Sequence, residues 1–375
     1  MLSIGIVGLP NVGKSTLFNA LRSARGEFDG GAEVGNYPFT TIDPNVGIVA
    51  VPDERLHKLA EVEKSARVVP AAVKFVDIAG LIAGAHKGEG LGNKFLSHIR
   101  EVDAIAMVVR CFEDKNVLHV TGRIDPKGDI ETITTELVLA DLETLAKRKD
   151  AIGKTPTPRA SGVGVPAVGD KVADVLGKIE ATFAKSRLAI EAGLSEDEIE
   201  LVREANFLTL KPFLYIFNVD EQDTGETPED LIEEFKLEGL VKPESAVVIS
   251  AKIEQELSLL PEGDQRELLV EYGLQEAGLN RLIKSAYKTL DLITFYTVNE
   301  NEAHAWALKR QSSVLKAAAT VHSDFAKKFI KADIAPVDEF IKYNGWHGLK
   351  EVGKARLEGK DYVVREGDAV FIHHG

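Results

Sequence analysis

The sequence predicts an α/β fold, a mainly parallel sheet with helices on both faces, followed by a separate β-rich module at the C-terminus. Two observations predict it. Short apolar runs recur before helical patterns: Ile4 to Val7, Val46 to Val51, Val73 to Ile78, Ala104 to Val109, Phe213 to Phe217 and Ala246 to Ile249. Such continuous runs, alternating with helices, read as strands buried on both faces. Charge is also uneven: the chain carries −14, yet from Asp291 onward twelve Lys and Arg balance twelve Asp and Glu.

The alternation breaks between Val109 and Phe213, where no strand is legible and two helical stripes are. One covers Asp129 to Lys149, with Ile130, Ile133, Leu137, Ala140 and Thr144 on one face. The other covers Lys171 to Ala192, with Val172, Leu176, Ile179, Phe183 and Ile190. Thr155 to Gly169, rich in Pro, Gly, Ser and Thr, reads as the tip joining them. Either a projecting helical hairpin or two helices packed on the sheet satisfies this pattern. Ser195 and Glu198 form a capping box that opens a further helix toward Phe213. In the tail, Leu292 to Val298 reads as a strand, Phe325 to Ile330 as a helix, and Tyr362 to Arg365 with Ala369 to Ile372 as a hairpin turning at Glu366-Gly-Asp368. Few helices are expected there.

Composition excludes several classes. At 375 residues and 44% hydrophobic content the chain is long enough for two or three domains. No apolar run approaches the roughly 18 residues of a membrane span, and Cys111, the only cysteine, cannot build a disulfide framework. A cytoplasmic protein without membrane contact is expected. The acidic balance argues against coating nucleic acid by charge alone.

The chemistry-bearing segment is Gly8-Leu-Pro-Asn11-Val12-Gly13-Lys14-Ser15-Thr16, which matches G-x-x-x-x-G-K-[ST] between a strand and a helical pattern. Glycine lets the backbone wrap a phosphate, and amides at the helix N-terminus face the anion. Lys14 adds a cation for the β and γ phosphates, and the Ser15 hydroxyl can ligate Mg²⁺. Asp77-Ile-Ala-Gly80 ends another strand and offers a second carboxylate on the metal side, with the Gly80 amide for the γ-phosphate. Thr41, in Asn36-Tyr-Pro-Phe-Thr-Thr41, is positioned to close over the metal or to sit in a plain surface loop.

A base site follows the last two strands of the sheet. Asn218-Val219-Asp220-Glu221 occupies the place of the guanine-reading N-K-x-D, and Ser250-Ala251-Lys252 follows the next strand. Glu221 is one methylene longer than the aspartate that guanine needs, and Val219 lacks the lysine stem that packs on the base. Guanine selectivity should therefore fall while adenine loses nothing, so ATP is expected ahead of GTP. Asp220 could act as a substitute acceptor, which leaves GTP as the alternative.

These segments, together with Tyr37-Pro-Phe-Thr-Thr-Ile-Asp-Pro44 and Gly88-Glu-Gly-Leu-Gly-Asn-Lys-Phe95, resemble those of the YchF-type Obg-like ATPases. That family is a branch of the P-loop GTPases of the translation-factor class that turned to ATP. The resemblance runs over essentially the full chain. It implies a G domain in two parts (1–128 and 207–289), a helical hairpin insertion (129–206) and a TGS module of β-grasp shape (290–375). It also implies the ribosome as partner and RNA contact through the TGS module. The Pro/Gly-rich tip departs from the family pattern and leaves the insert's length open.

After D-x-x-G, Ras-like enzymes place a water-orienting glutamine, but here Leu81 stands and cannot hydrogen-bond a water. The resemblance points to His119 as the substitute; the residues alone leave His86 and His98 equally eligible, and a histidine beside an apolar run also serves structure. Asn11 matches an asparagine that holds K⁺ in potassium-activated relatives, and a loop-stabilising amide is the other reading. Three functions compete: an ATP-hydrolysing switch, a GTPase of the same fold, and a nucleotide-gated binding module with incidental hydrolysis. In the tail, Lys309, Arg310, Lys327, Lys328 and Lys331 are candidate phosphate contacts or a solvated face.

Overall fold

The six apolar runs become strands, four of them buried throughout and those beginning near Val46 and Val73 buried only in part. The structure, a computed structural model, describes residues 1–23, 45–78, 91–113, 124–154 and 168–375. Among them the strands are, in chain order, β1 (Ser3–Val7), β2 (Val46–Ala50), β3 (Val68–Val69), β4 (Ala72–Asp77), β5 (Ala104–Arg110) and β6 (Phe213–Asn218). They continue with β7 (Ala246–Ile249), β8 (Leu292–Val298), β9 (Ala303–Lys309), β10 (Phe329–Pro336), β11 (Arg356–Glu358) and β12 (Asp368–His374). The chain divides into two units. One comprises Met1–Leu2, Phe18–Phe75 and Glu254–Gly375; the other comprises Ser3–Leu17 and Val76–Ile253.

In the unit built on Ser3–Leu17 and Val76–Ile253, β1, β5, β6 and β7 run parallel in that order. Every residue of these four strands is buried, as expected of a sheet covered on both sides. Ile78, just past β4, donates its amide to the Ile6 carbonyl (3.1 Å), so β4 ends beside the end of β1. The register pairs Arg110 with Asn218 and Asn218 with Ile249, which aligns the strand ends along one edge. Within this unit Ile78 lies against one side of β1, and β5, which follows it in the chain, pairs with the other side. The edge at β1 and β5 is thus where strand order reverses, the place where open α/β sheets bind ligands.

The two expected helical stripes exist, with different limits. Pro126–Lys154 is longer than Asp129 to Lys149, and Val168–Phe183 stops well short of Ala192. The second helix ends because Ser186 turns left-handed (φ 54°) and the Arg187 amide returns to the Thr182 carbonyl at 3.3 Å. Ala189–Ala192 then forms a separate 3-10 turn, which leaves Ile190 45% exposed instead of on the buried stripe. Val138, Leu145, Val175, Leu176, Ile179, Phe183 and Phe207 pack together in a core of their own. The fully buried Asp141 ties this region down by accepting from the Leu208 and Thr209 amides (both 2.8 Å) and the Thr209 hydroxyl (2.7 Å). Ser195 and Glu198 form the expected capping box on the helix Glu196–Val202. The tip at Thr155 to Gly169 lies, but for its last two residues, outside the described residues.

In the other unit the C-terminal sheet has the order β11-β10-β12-β8-β9-β3. β8 and β9 form an antiparallel hairpin, β12 lies parallel to β8, and β10 pairs antiparallel with both β12 and β11. Phe295, Leu308, Val314, Ala317, Ile334 and Val370 form the core, with the helix Val314–Val321 laid on the sheet. This mixed sheet around a helix is the β-grasp arrangement expected. Three details of the tail differ from expectation. Phe325 to Ile330 is not one helix: Ser323–Lys327 is a short helix, and Ile330 already belongs to β10. Helices are not few either, since Val314–Val321, Val337–Lys342 and Gly345–Glu351 are present as well.

The closing hairpin is the third difference. The turn forms, with Gly367 at φ 83°, but Tyr362 to Arg365 is not its strand partner. The Asp368 carboxylate instead accepts from the Arg365 amide (2.9 Å) and the Tyr362 hydroxyl (2.8 Å), which folds the segment on itself. Val363 makes a single bridge, to Ser313.

Candidate phosphate and base site

The loop after β1 is shaped by residues that only its neighbours explain. Asn11 and Gly13 both adopt left-handed backbone (φ 65° and 89°), and Lys14 opens the helix Lys14–Ser23. A Cβ on Gly13 would collide with the Asn218 Nδ2, and one on Gly8 would lie 2.8 Å from Val12 Cγ2 and 3.0 Å from the Val108 carbonyl. Both glycines are therefore sterically required, one by its conformation and both by close approach. Val12 is buried, Gly13, Lys14 and Thr16 are half-buried, and Ser15 is exposed. The Lys14 ammonium pairs with the Asp77 carboxylate at the end of β4. One cation and two hard oxygen ligands, the Ser15 hydroxyl and Asp77, thus belong to one strand edge, a donor set suited to Mg²⁺ and phosphate.

The base loops join the same edge. Asn218 is buried; its Nδ2 donates to the Val12 carbonyl (2.9 Å) and its Oδ1 accepts from the Ala251 amide (2.9 Å). One side chain thereby fastens the phosphate loop to both base loops. Val219 is also buried, with its amide donating to the Ile249 carbonyl (2.9 Å), and it offers no stem to a base. Glu221 begins a 3-10 turn and pairs with Lys252, which holds its carboxyl below the usual glutamate range. Asp220 goes the other way: burial pushes its carboxyl up, against a hydrogen bond from the Glu113 backbone. The Ser250 hydroxyl is buried and has no hydrogen-bond partner among the described residues. A buried, unpaired hydroxyl in a native fold asks for an explanation, and a ligand is one.

The structure thus brings together Asn11, Val12, Gly13, Lys14, Ser15, Thr16, Asp77, Asn218, Val219, Glu221, Ser250 and Ala251. Thr41, Gly80, Leu81, His86 and His119 lie outside the described residues. His98 is exposed on the helix Leu91–Glu101. In the tail, Lys309 and Arg310 pair with Asp291 (3.5 and 3.0 Å) and Lys327 with Asp324 (3.6 Å), while Lys328 and Lys331 are exposed. Sequence reasoning missed Arg110, which is 2% exposed and donates to the Asn11 carbonyl at 3.2 Å. Its signal was an arginine closing an otherwise apolar strand at the ligand edge.

The chain is similar to known proteins along nearly its whole length. Residues 3–144 match the family MMR_HSR1, described as 50S ribosome-binding GTPase. Residues 292–374 match YchF-GTPase_C, described as a protein of unknown function (DUF933). The chain is 47% identical over 375 residues to a Haemophilus influenzae protein named ribosome-binding ATPase YchF, covering 98% of each chain. A Bacillus subtilis protein of the same name is 46% identical, covering 99% of this chain and 98% of its own. The solved structure of the Schizosaccharomyces pombe YchF GTPase superposes with a TM-score of 0.85 at 32% identity, covering 99% of this chain and 97% of that one.

Proposed function

This chain belongs to the YchF family, and we propose that it is a ribosome-associated P-loop switch that hydrolyses ATP to ADP and phosphate with Mg²⁺. The observation that carries the proposal is the single edge on which the phosphate loop, Asp77 and the Glu221–Lys252 pair meet. Relatives are named ATPase in bacteria and GTPase in fission yeast, so names alone do not choose the base. The residues favour adenine. Guanine presents N1–H and a 2-amino group to a carboxylate, and here that carboxylate is engaged by Lys252 while Val219 gives the ring no stem. Asp220, the substitute acceptor for guanine, faces the Glu113 backbone.

In this reading the amides of Val12, Gly13, Lys14, Ser15 and Thr16 cradle the phosphates, and Lys14 exchanges Asp77 for the β and γ oxygens. Ser15, Asp77 and Thr41 hold Mg²⁺, which neutralises charge on the phosphate oxygens when bound. Gly80 donates to the γ-phosphate, His119 orients the attacking water in place of a glutamine, and Asn11 holds K⁺. Ser250 and Ala251 border the base. Catalysis then comes from positioning and charge stabilisation, and turnover is slow until a partner engages. The ribosome is that partner by the names of the relatives, with RNA contact through the C-terminal module.

Titration of the chain with ATP and GTP, with and without Mg²⁺, tests the base and metal assignments. Tighter GTP binding would replace the ATPase reading with the GTPase one. Turnover with added ribosomes separates a cycling enzyme from a docking module: stimulation supports the switch, and nucleotide-dependent co-sedimentation at constant turnover contradicts it. Single-turnover hydrolysis by His119→Ala at parental rate, with ATP still bound, would remove His119. Equal rates in K⁺ and Na⁺ would remove the K⁺ assignment.

A further inference from the structure

Two side chains, one from each of two adjacent strand ends, hold carbonyls of the phosphate loop. Arg110 closes β5, is only 2% exposed, and sits in register with Asn218 at the end of β6. Its Nη1 donates to the Asn11 carbonyl and its Nε to the Phe112 carbonyl, both at 3.2 Å, while the guanidinium lies 4.4 Å from the centre of the Phe112 ring. A buried guanidinium needs such acceptors, and its planar fork fixes them in a set direction. Asn218 holds the next carbonyl, that of Val12, at 2.9 Å.

No cis peptide bond occurs among the described residues. In a trans peptide the carbonyl and the following N–H point in opposite directions. Anchoring the Asn11 carbonyl therefore turns the Val12 amide away from Arg110, and anchoring the Val12 carbonyl does the same for Gly13 and Asn218. Asn11 keeps a left-handed backbone (φ 65°) that side-chain-bearing residues adopt reluctantly. The Arg110 bond falls on the carbonyl of that left-handed residue.

We infer that Arg110 is a positioning residue for triphosphate binding: it fixes the peptide plane between Asn11 and Val12 and so aims the Val12 amide at a phosphate oxygen. This role rests on the proposed nucleotide site and deepens it by giving separate anchors to two adjacent amide donors. Arg110 acts through the backbone and touches no reacting atom.

The full chain labelled with ¹⁵N-valine and ¹⁵N-glycine and titrated with MgATP tests the role, with the Val12 resonance identified by its loss in Val12→Ile. In the parent both the Val12 and Gly13 amides shift downfield. In Arg110→Met the Val12 shift disappears, the Gly13 shift persists through Asn218, and affinity falls about tenfold to a hundredfold, the loss expected for a hydrogen bond to a charged group. A Val12 shift and affinity unchanged in Arg110→Met overturn the role while leaving the nucleotide site standing. No nucleotide-dependent shift in the parent overturns the site itself and this role with it. Should Arg110→Met fail to fold, Arg110→Gln, which is polar but too short for both carbonyls, is read by the same criteria.

Discussion

Asn218 and Val12, 206 residues apart in sequence, are joined by a buried hydrogen bond of 2.9 Å from the asparagine Nδ2 to the valine carbonyl. The other end of the same side chain accepts from the Ala251 amide. Asparagine is needed because both a donor and an acceptor are used. Asn218→Ala leaves a buried carbonyl and a buried N–H unpaired, each worth about 1–3 kcal/mol. Urea unfolding of the variant is expected to show a loss of about 2–6 kcal/mol, together with weaker nucleotide binding. Parental stability in Asn218→Ala would contradict this bridge.

The base loops yield a specificity prediction. Restoring the guanine-reading pattern with the pair Val219→Lys and Glu221→Asp supplies both the stem and the shorter acceptor. The ratio of GTP to ATP affinity is expected to rise about tenfold or more, since a site that pairs a substrate's polar groups discriminates strongly against one lacking them. Competition binding measures it. An unchanged ratio would show that Glu221 and Val219 do not set the base.

Asp141 anchors the helical insertion through three buried bonds to Leu208 and Thr209. Burial raises its carboxyl despite those bonds. Asp141→Ala strands three donors and is expected to destabilise by about 3 kcal/mol or more. The check is a denaturation midpoint, and Asp141→Ala unfolding with the parental midpoint and slope would refute the anchoring role.

Asp53 supplies a pH dependence. Burial pushes its carboxyl up, but hydrogen bonds from Arg55 and Tyr296 more than reverse this and leave it below the ordinary aspartate value of 3.8. An acid lowered on folding adds stability above its unfolded value and loses it as pH falls through the folded one. The stability gap between parent and Asp53→Asn is therefore expected to be full above about pH 4 and to close at lower pH. Thermal melts at stepped pH measure the gap; a gap that widens with acid has the wrong sign.

The parts of the fold legible in the sequence were those that physics writes locally. β1, β5, β6 and β7 are buried on both faces, so each appears as an unbroken apolar run. The phosphate loop is legible because its glycines answer to backbone shape. β9 was not: Ala303 to Lys309 buries alanines and a leucine beside a half-exposed tryptophan, a weak alternation. β10 was hidden because Ile330 and Lys331 are exposed ahead of a buried stretch, which mimics the end of a helix. The bonds of Asn218 to Val12 and of Arg110 to Asn11 join residues about 100 or more positions apart, and only the strand register brings them together.

Equilibrium binding of MgATP to the full chain and to Lys14→Met tests the central assignment most directly. Saturable binding by the parent, weakened at least about tenfold in Lys14→Met as expected when a charged phosphate contact is lost, is the predicted result. No triphosphate affinity in the folded parent, or equal affinity in the two proteins, would contradict it.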